Sequence, residues 1–157
     1  RERDFETELA DTLRRTGCDP RRLKLELTES SVLENIEEAV NRMDRLRAHG
    51  LGFSLDDFGT GYSSLSYLKR LPLDQVKIDR AFVHHLGTDP RDEAIVSAIL
   101  GLAQAMQLGV IAEGIETIDQ RDRLVRLGCR GFQGYLYSKP LPLAEFATFV
   151  SQQHLPR

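Results

Sequence analysis

At 157 residues, 41% hydrophobic and 29% charged, the chain fits one globular domain able to bury a core. Its formal net charge of −3 argues against a partner that is a nucleic-acid polymer, and no apolar run approaches the ~20 residues needed to cross a bilayer, so no membrane contact is expected of this segment. Cys18 and Cys129 lack metal-ligand spacing, which fits reduced, structural cysteines in a cytoplasmic protein.

The predicted elements alternate along the chain. Apolar residues at period four (Phe5, Leu9, Leu13) predict a helix over 5–15, stopped by Gly17. Leu23, Leu25 and Leu27 alternate with polar residues and predict a strand over 22–28. Ile36, Val40, Met43 and Leu46 share one face of a long helix over 32–48, with Gly50 at its end. A strand over 51–55 follows, then a short helix over 64–70 before Pro72, and a strand over 75–78. A helix over 90–107 ends at Gly109, and a short buried strand covers 110–112. Thr117 and Gln120 stand at capping-box spacing and open a helix over 117–127. A last strand over 131–137 and a closing helix over 142–152 complete the pattern.

The stretch 51–65, LGFSLDDFGTGYSSL, carries the strongest chemical signal. A buried-strand pattern runs into adjacent carboxylates, Asp56 and Asp57, and two like charges at a strand end repel unless a cation lies between them. Gly59, Thr60 and Gly61 follow, and such glycines let backbone approach a ligand closely. The pattern points to a hard divalent cation, Mg²⁺ or Mn²⁺, beside a phosphate; a solvated turn is the plainer account of the same residues.

Strand followed by helix, five times and without hairpin signals, means parallel βα units, in either an open doubly wound sheet or part of a barrel. The strand ends favour the barrel. Glu26, the Asp56–Asp57 pair, Lys77, Glu113 and Gln133 fall at the C-terminal ends of successive strands. A closed ring gathers such ends at one mouth. An open sheet with strands ~4.8 Å apart would spread them over about 20 Å. Gathered, the carboxylates supply oxygen ligands to one or two cations, and Lys77 stabilises charge on a phosphate or holds a water. Each residue alone also has an ordinary role: Glu26 and Glu29 as charges near a helix N-terminus, Lys77 paired with Asp79, Glu113 as partner of the following helix.

The remaining candidates are weaker. His49, His84, His85 and His154 read as surface residues, and Ser63 and Ser64 lack a nucleophile-elbow context. The G-T-G run is not a P-loop, because no G-K-[ST] follows. Of the tyrosines, Tyr135 is the candidate for stacking on a base.

Five segments in order resemble the EAL-domain family of cyclic di-GMP phosphodiesterases. They are L-E-L-T-E-S (25–30), D-D-F-G-T-G-Y-S-S-L (56–65), K-I-D-R-A-F-V (77–83), A-E-G-I-E-T (112–117) and Q-G-Y-L-Y-S-K-P (133–140). The resemblance implies a TIM-type (β/α) barrel that hydrolyses one phosphodiester of the cyclic dinucleotide to linear pGpG. It implies that Glu26, Asp56 and Asp57 bind two metal ions, with Asp56 shared, and that Lys77 and Glu113 orient and activate the attacking water. By the same resemblance Gln133 lies near the substrate. Glu29 anchors the loop containing Phe58, Gly59, Thr60 and Gly61, which couples the site to a homodimer formed through residues 56–65.

The family's Glu-Ala-Leu motif and the asparagine of the following strand are absent from this chain. The expectation is therefore an incomplete barrel of about five βα units, residues 1–157 forming the C-terminal two-thirds of one domain. Catalysis by this piece alone is not expected, since one ion would lose two ligands. Any membrane attachment of the parent is expected through domains upstream of this segment. Two other readings are a non-catalytic cyclic di-GMP receptor of the same family and an enolase-like barrel with Lys77 as base.

Overall fold

The computed structural model describes residues 2–59 and 65–152. The elements alternate as α1 (Glu2–Thr16), β1 (Lys24–Thr28), α2 (Glu29–Glu34), α3 (Ile36–Ala48), β2 (Gly52–Phe58), α4 (Leu65–Leu68), β3 (Gln75–Ile78), α5 (Arg80–His84), α6 (Pro90–Ala105), β4 (Gly109–Ala112), α7 (Ile118–Arg126), β5 (Gly131–Phe132) and α8 (Leu143–Gln152). All strand pairs are parallel, and the spatial order is β1-β2-β3-β4-β5.

That order decides between the two architectures left open above. A doubly wound sheet reverses its strand order at a switch point. Here each strand lies beside its predecessor, and right-handed crossovers then place every helix on the same face. This is the winding of a (β/α) barrel, present as an open five-stranded arc. Side chains alternate accordingly. Phe53, Leu55, Val76 and Ile78 point toward the helices and join a core with Met43, Leu46, Val83, Val96 and Leu124. Ser54, Gln75 and Lys77 face the other way, yet all three are buried. A hydrogen-bonded chain runs along this inner face: the Lys24 ammonium donates to Gln75 Oε1 at 2.7 Å, and Gln75 Nε2 donates to Ser54 Oγ at 3.2 Å.

Several boundaries differ from the sequence expectation. The helix predicted over 32–48 is two helices, starting at Glu29 and broken at Asn35. Asn35 is non-helical (φ −155°, ψ 88°), and its Oδ1 accepts from Glu38 N at 3.2 Å, capping α3. A side chain that competes for backbone donors suits a cap better than a helix interior. The helix predicted to 107 ends at Ala105, and Gln107 rather than Gly109 takes the left-handed conformation (φ 59°). The strand predicted over 131–137 keeps only Gly131–Phe132 before the backbone turns. Gly134 explains the turn: a Cβ there would fall on the backbone nitrogen and carbonyl of Ile115. Ile115 N donates to Gln133 O (3.1 Å) and Leu136 N to Ile115 O (2.9 Å), lacing the two strand-end segments together. Helix α5 had no counterpart in the sequence reading; Asp79 caps it, accepting from Ala81 N at 2.7 Å. The capping box at Thr117 and Gln120 is present as predicted. Among the described residues no helix is long and apolar enough to cross a membrane.

Among the described residues, strands β1 and β5 each have a neighbour on one side only. Unpaired parallel edges are templates for further pairing. The isolated chain is expected to self-associate at micromolar concentration in light scattering and size-exclusion experiments. A monomeric species with a sharp cooperative melt would contradict this.

Candidate active site at the strand ends

The strand-end residues converge. Glu26 on β1, Asp56 on β2 and Glu113 just past β4 all direct a carboxylate at the Lys77 ammonium on β3. The separations from Lys77 Nζ are 2.6 Å to Glu113 Oε1, 2.9 Å to Glu26 Oε2 and 3.2 Å to Asp56 Oδ1. An ammonium has three N–H donors, and three carboxylates match them. The Lys77 side chain is 5% exposed, whereas Glu26 at 52% opens to the mouth. Burial on its own would lower the lysine pKa, but hydrogen bonds from the ammonium to Glu113 and Glu26 outweigh it and hold the pKa above its ordinary value. These contacts favour the charged lysine, whereas the enolase-like reading needs Lys77 to lose its proton and act as a base. The surface pairing with Asp79 considered above is not formed; Asp79 serves as the α5 cap.

Asp57 reaches the same region by a backbone device. In a regular strand it would point away from Asp56. The β2–β3 register shifts between Leu55 and Phe58, and Asp57 adopts φ 54°. This bulge re-aims the side chain. Burial first, then a hydrogen bond with Asp79 and the charges of Asp56, Asp79 and Glu113, push the Asp57 carboxyl above the usual range. Asp57 thus adds a fourth carboxylate beside the three that bind the ammonium.

The other expected residues fall in three places. Gln133 lines a recess beside Glu113. Glu29 is buried (3% exposed) in the first turn of α2, and Phe58 is buried at the end of β2. Gly59 turns with φ 97°, and an added Cβ there would lie 3.1 Å from the Phe82 ring. Thr60 and Gly61 lie outside the described residues. Sequence reasoning missed three neighbours: Gln75 beneath Lys77, Asp79 against Asp57, and Arg80 at the mouth. Gln75 was recoverable, because it and Lys77 stand two apart on a strand and so share a face.

Among the described residues no group of three or more His, Cys, Asp or Glu side chains is arranged to hold a metal ion; the converging carboxylates point at Lys77 instead. The donor chemistry nonetheless fits a hard divalent cation. The oxygens are anionic and more numerous than the single ammonium can neutralise, and Glu26, Asp56 and Asp57 lie on neighbouring strands.

A parallel βα sheet of barrel order, with acids and a lysine ammonium gathered at its C-terminal strand ends, defines the class of (β/α)-barrel domains. Within that class the chain belongs to the EAL domain family, whose model matches residues 1–140. MucR of Pseudomonas aeruginosa, a bifunctional diguanylate cyclase/cyclic di-GMP phosphodiesterase, is 45% identical over 141 residues; these are 90% of this chain and 21% of that protein. The EAL domain of Mycobacterium smegmatis DcpA matches the fold with a TM-score of 0.89 at 41% identity, over 97% of this chain and 68% of that one. BlrP1 of Klebsiella pneumoniae, solved at pH 9.0 with manganese and cyclic di-GMP, matches with a TM-score of 0.82 at 34% identity, over 87% of this chain and 35% of that one.

The Lys77 cluster also bears on stability. Lys77→Met leaves three carboxylates facing one another around an apolar group. It is expected to destabilise the complete protein by about 1–3 kcal/mol, below the 3–5 kcal/mol of a fully buried pair because Glu26 is half exposed. Adding Glu113→Gln should recover part of the loss. Denaturant melts of the single and double variants measure both, and strictly additive losses would contradict the shared cluster.

Proposed function

We propose that residues 1–157 form the C-terminal part of an EAL domain that hydrolyses cyclic di-GMP to linear pGpG with the help of Mg²⁺ or Mn²⁺. The observation that carries this reading is the convergence of Glu26, Asp56 and Glu113 on Lys77 from separate strands. A receptor that only binds would have no use for a desolvated ammonium so fully matched by acids. The whole protein's activity is part of the proposal, since the chain spans 21% of MucR.

In this reading Glu26, Asp56 and Asp57 would hold the divalent ions, which would supply Lewis-acid polarisation of the phosphate and make a bound water more acidic. The chain's own groups do the rest. Lys77 keeps its proton and opposes negative charge as it develops on the phosphoryl oxygens. Glu113, within 2.6 Å of that ammonium, accepts a proton from the attacking water. The water oxygen bonds to phosphorus as one ester bond breaks, and the leaving oxygen takes up a proton. The products are a 5′ phosphate and a free 3′ hydroxyl. Gln133, beside Glu113, orients the substrate. Glu29 and the segment around Phe58 and Gly59 carry the loop that links two copies of the domain.

The test is turnover of cyclic di-GMP by the complete protein. Activity is expected with Mg²⁺ or Mn²⁺ and is lost in EDTA. Asp56→Ala should lower the rate by at least about 10³-fold, and Lys77→Ala should reduce kcat more than it raises KM. Binding of cyclic di-GMP without turnover in any divalent cation would instead identify a receptor.

A further inference from the structure

Strand β5 contributes only Gly131 and Phe132 to the sheet, so Gln133 is placed by what its backbone does beyond the strand. Its N–H donates to Ala112 O at 2.9 Å, and its carbonyl accepts from Ile115 N at 3.1 Å. Ile115 is fully buried, two residues after Glu113, and its own carbonyl accepts from Leu136 N at 2.9 Å. The segment 133–136 thus wraps around the Ile115 backbone and engages both of its hydrogen-bonding groups. Tyr137 N donates to Gly134 O at 3.1 Å, which closes the wrap as a tight turn.

Gly134 stands at the closest point of this wrap. A Cβ there would fall on the nitrogen and carbonyl oxygen of Ile115 and 2.7 Å from its carbonyl carbon. Gly134 does not adopt the left-handed backbone, so conformation does not call for a glycine; space does. The obstruction is main chain, which cannot swing aside as the tip of a flexible side chain can. An alanine would force the two segments apart by about 1 Å to reach ordinary contact distance. The β4 side is held from its far flank as well: Glu113 N donates to Ile78 O at 3.0 Å, and Glu113 Oε1 accepts from the Lys77 ammonium at 2.6 Å. The displacement therefore falls on Gln133.

The structure assigns Gly134 as a positioning residue: lacking a Cβ, it lets the backbone close on Ile115, and that closure sets the place of Gln133 relative to Glu113. The assignment rests on the reading of the site as a cyclic di-GMP phosphodiesterase in which Gln133 orients the substrate. Gly134 acts through the backbone alone, and a misplacement of about 1 Å in an orienting group costs up to ~10²-fold in rate. Gly131 provides the comparison. A Cβ there would fall on Val110 O, in the same pair of strands but at the start of β5, away from the mouth. If tight glycine packing served the fold only, the two positions would behave alike.

The experiment follows turnover of cyclic di-GMP by the complete protein with Mg²⁺, at a temperature where each variant retains the wild-type circular dichroism. Gly134→Ala is expected to lower kcat about 10- to 100-fold, with a smaller change in KM. Gln133→Ala should lower kcat by a similar factor. Adding Gly134→Ala to it should cost less than about threefold more, because the glycine acts through the glutamine. Gly131→Ala should lower the melting temperature yet keep kcat within about threefold of wild type. A gentler probe covers the case in which Gly134→Ala does not fold. Replacing the Ile115 amide by an ester, through incorporation of the corresponding α-hydroxy acid, deletes the N–H that holds Gln133 O and adds no atom. It should reduce kcat about 3- to 10-fold, again only when Gln133 is present. Multiplicative losses in the Gln133→Ala background, an unchanged kcat in Gly134→Ala or the ester, or an equal loss in Gly131→Ala would overturn the assignment while the phosphodiesterase reading stands. Full activity of Gln133→Ala would withdraw the glutamine from the reaction and the assignment with it. Absence of turnover in the wild-type protein would remove both readings.

Discussion

The organising interaction is a single buried ammonium. Lys77 is almost fully withdrawn from water, and a lone charge in that position would be strongly unfavourable. It is tolerated because three carboxylates, brought in by three other strands, meet its three N–H groups. The geometry cannot form until β1, β2, β3 and β4 lie side by side in register. The strand order is therefore a condition of the chemistry as well as a way of burying apolar surface. The same contacts favour the charged form of the lysine.

Around this centre the two faces of the sheet divide the labour. The outer face is aliphatic and holds the helices. The inner face is polar from the Lys24–Gln75–Ser54 chain up to the acidic mouth. Because side chains alternate along a strand, a residue such as Val76 can anchor the core while its neighbours Gln75 and Lys77 serve the interior. The loops then set position at the rim: Gly134 lets one strand end lie against Ile115, and the capping box fixes the backbone beside Glu116.

The sequence made the βα rhythm, the five strands and the strand-end positions of Glu26, Asp56, Lys77 and Glu113 legible, because each depends on local period and on where a strand stops. What it hid depends on contacts between distant segments. The break at Asn35 was masked by an apolar period that continues across it; only the demand for a cap on α3 reveals it. The last strand looked longer than it is, because Gly134 reads as an ordinary strand residue until Ile115 is placed beside it. The partnership of Asp57 with Asp79 required knowing that β2 is bulged, and no residue type announces a left-handed aspartate.

The left-handed aspartate has a thermodynamic corollary. At φ 54° a glycine would sit without penalty, while a residue with a side chain carries a cost of order 1 kcal/mol or more. Retaining Asp57 adds a further acid to an already crowded rim, so this position sacrifices folding free energy twice. Any cation that relieves that crowding must, by linkage, tighten the fold by the same amount that it prefers the folded over the disordered chain. On the proposed metal-binding reading, occupancy and rigidity are a single equilibrium, and thermal robustness is expected to rise with the concentration of the divalent cation.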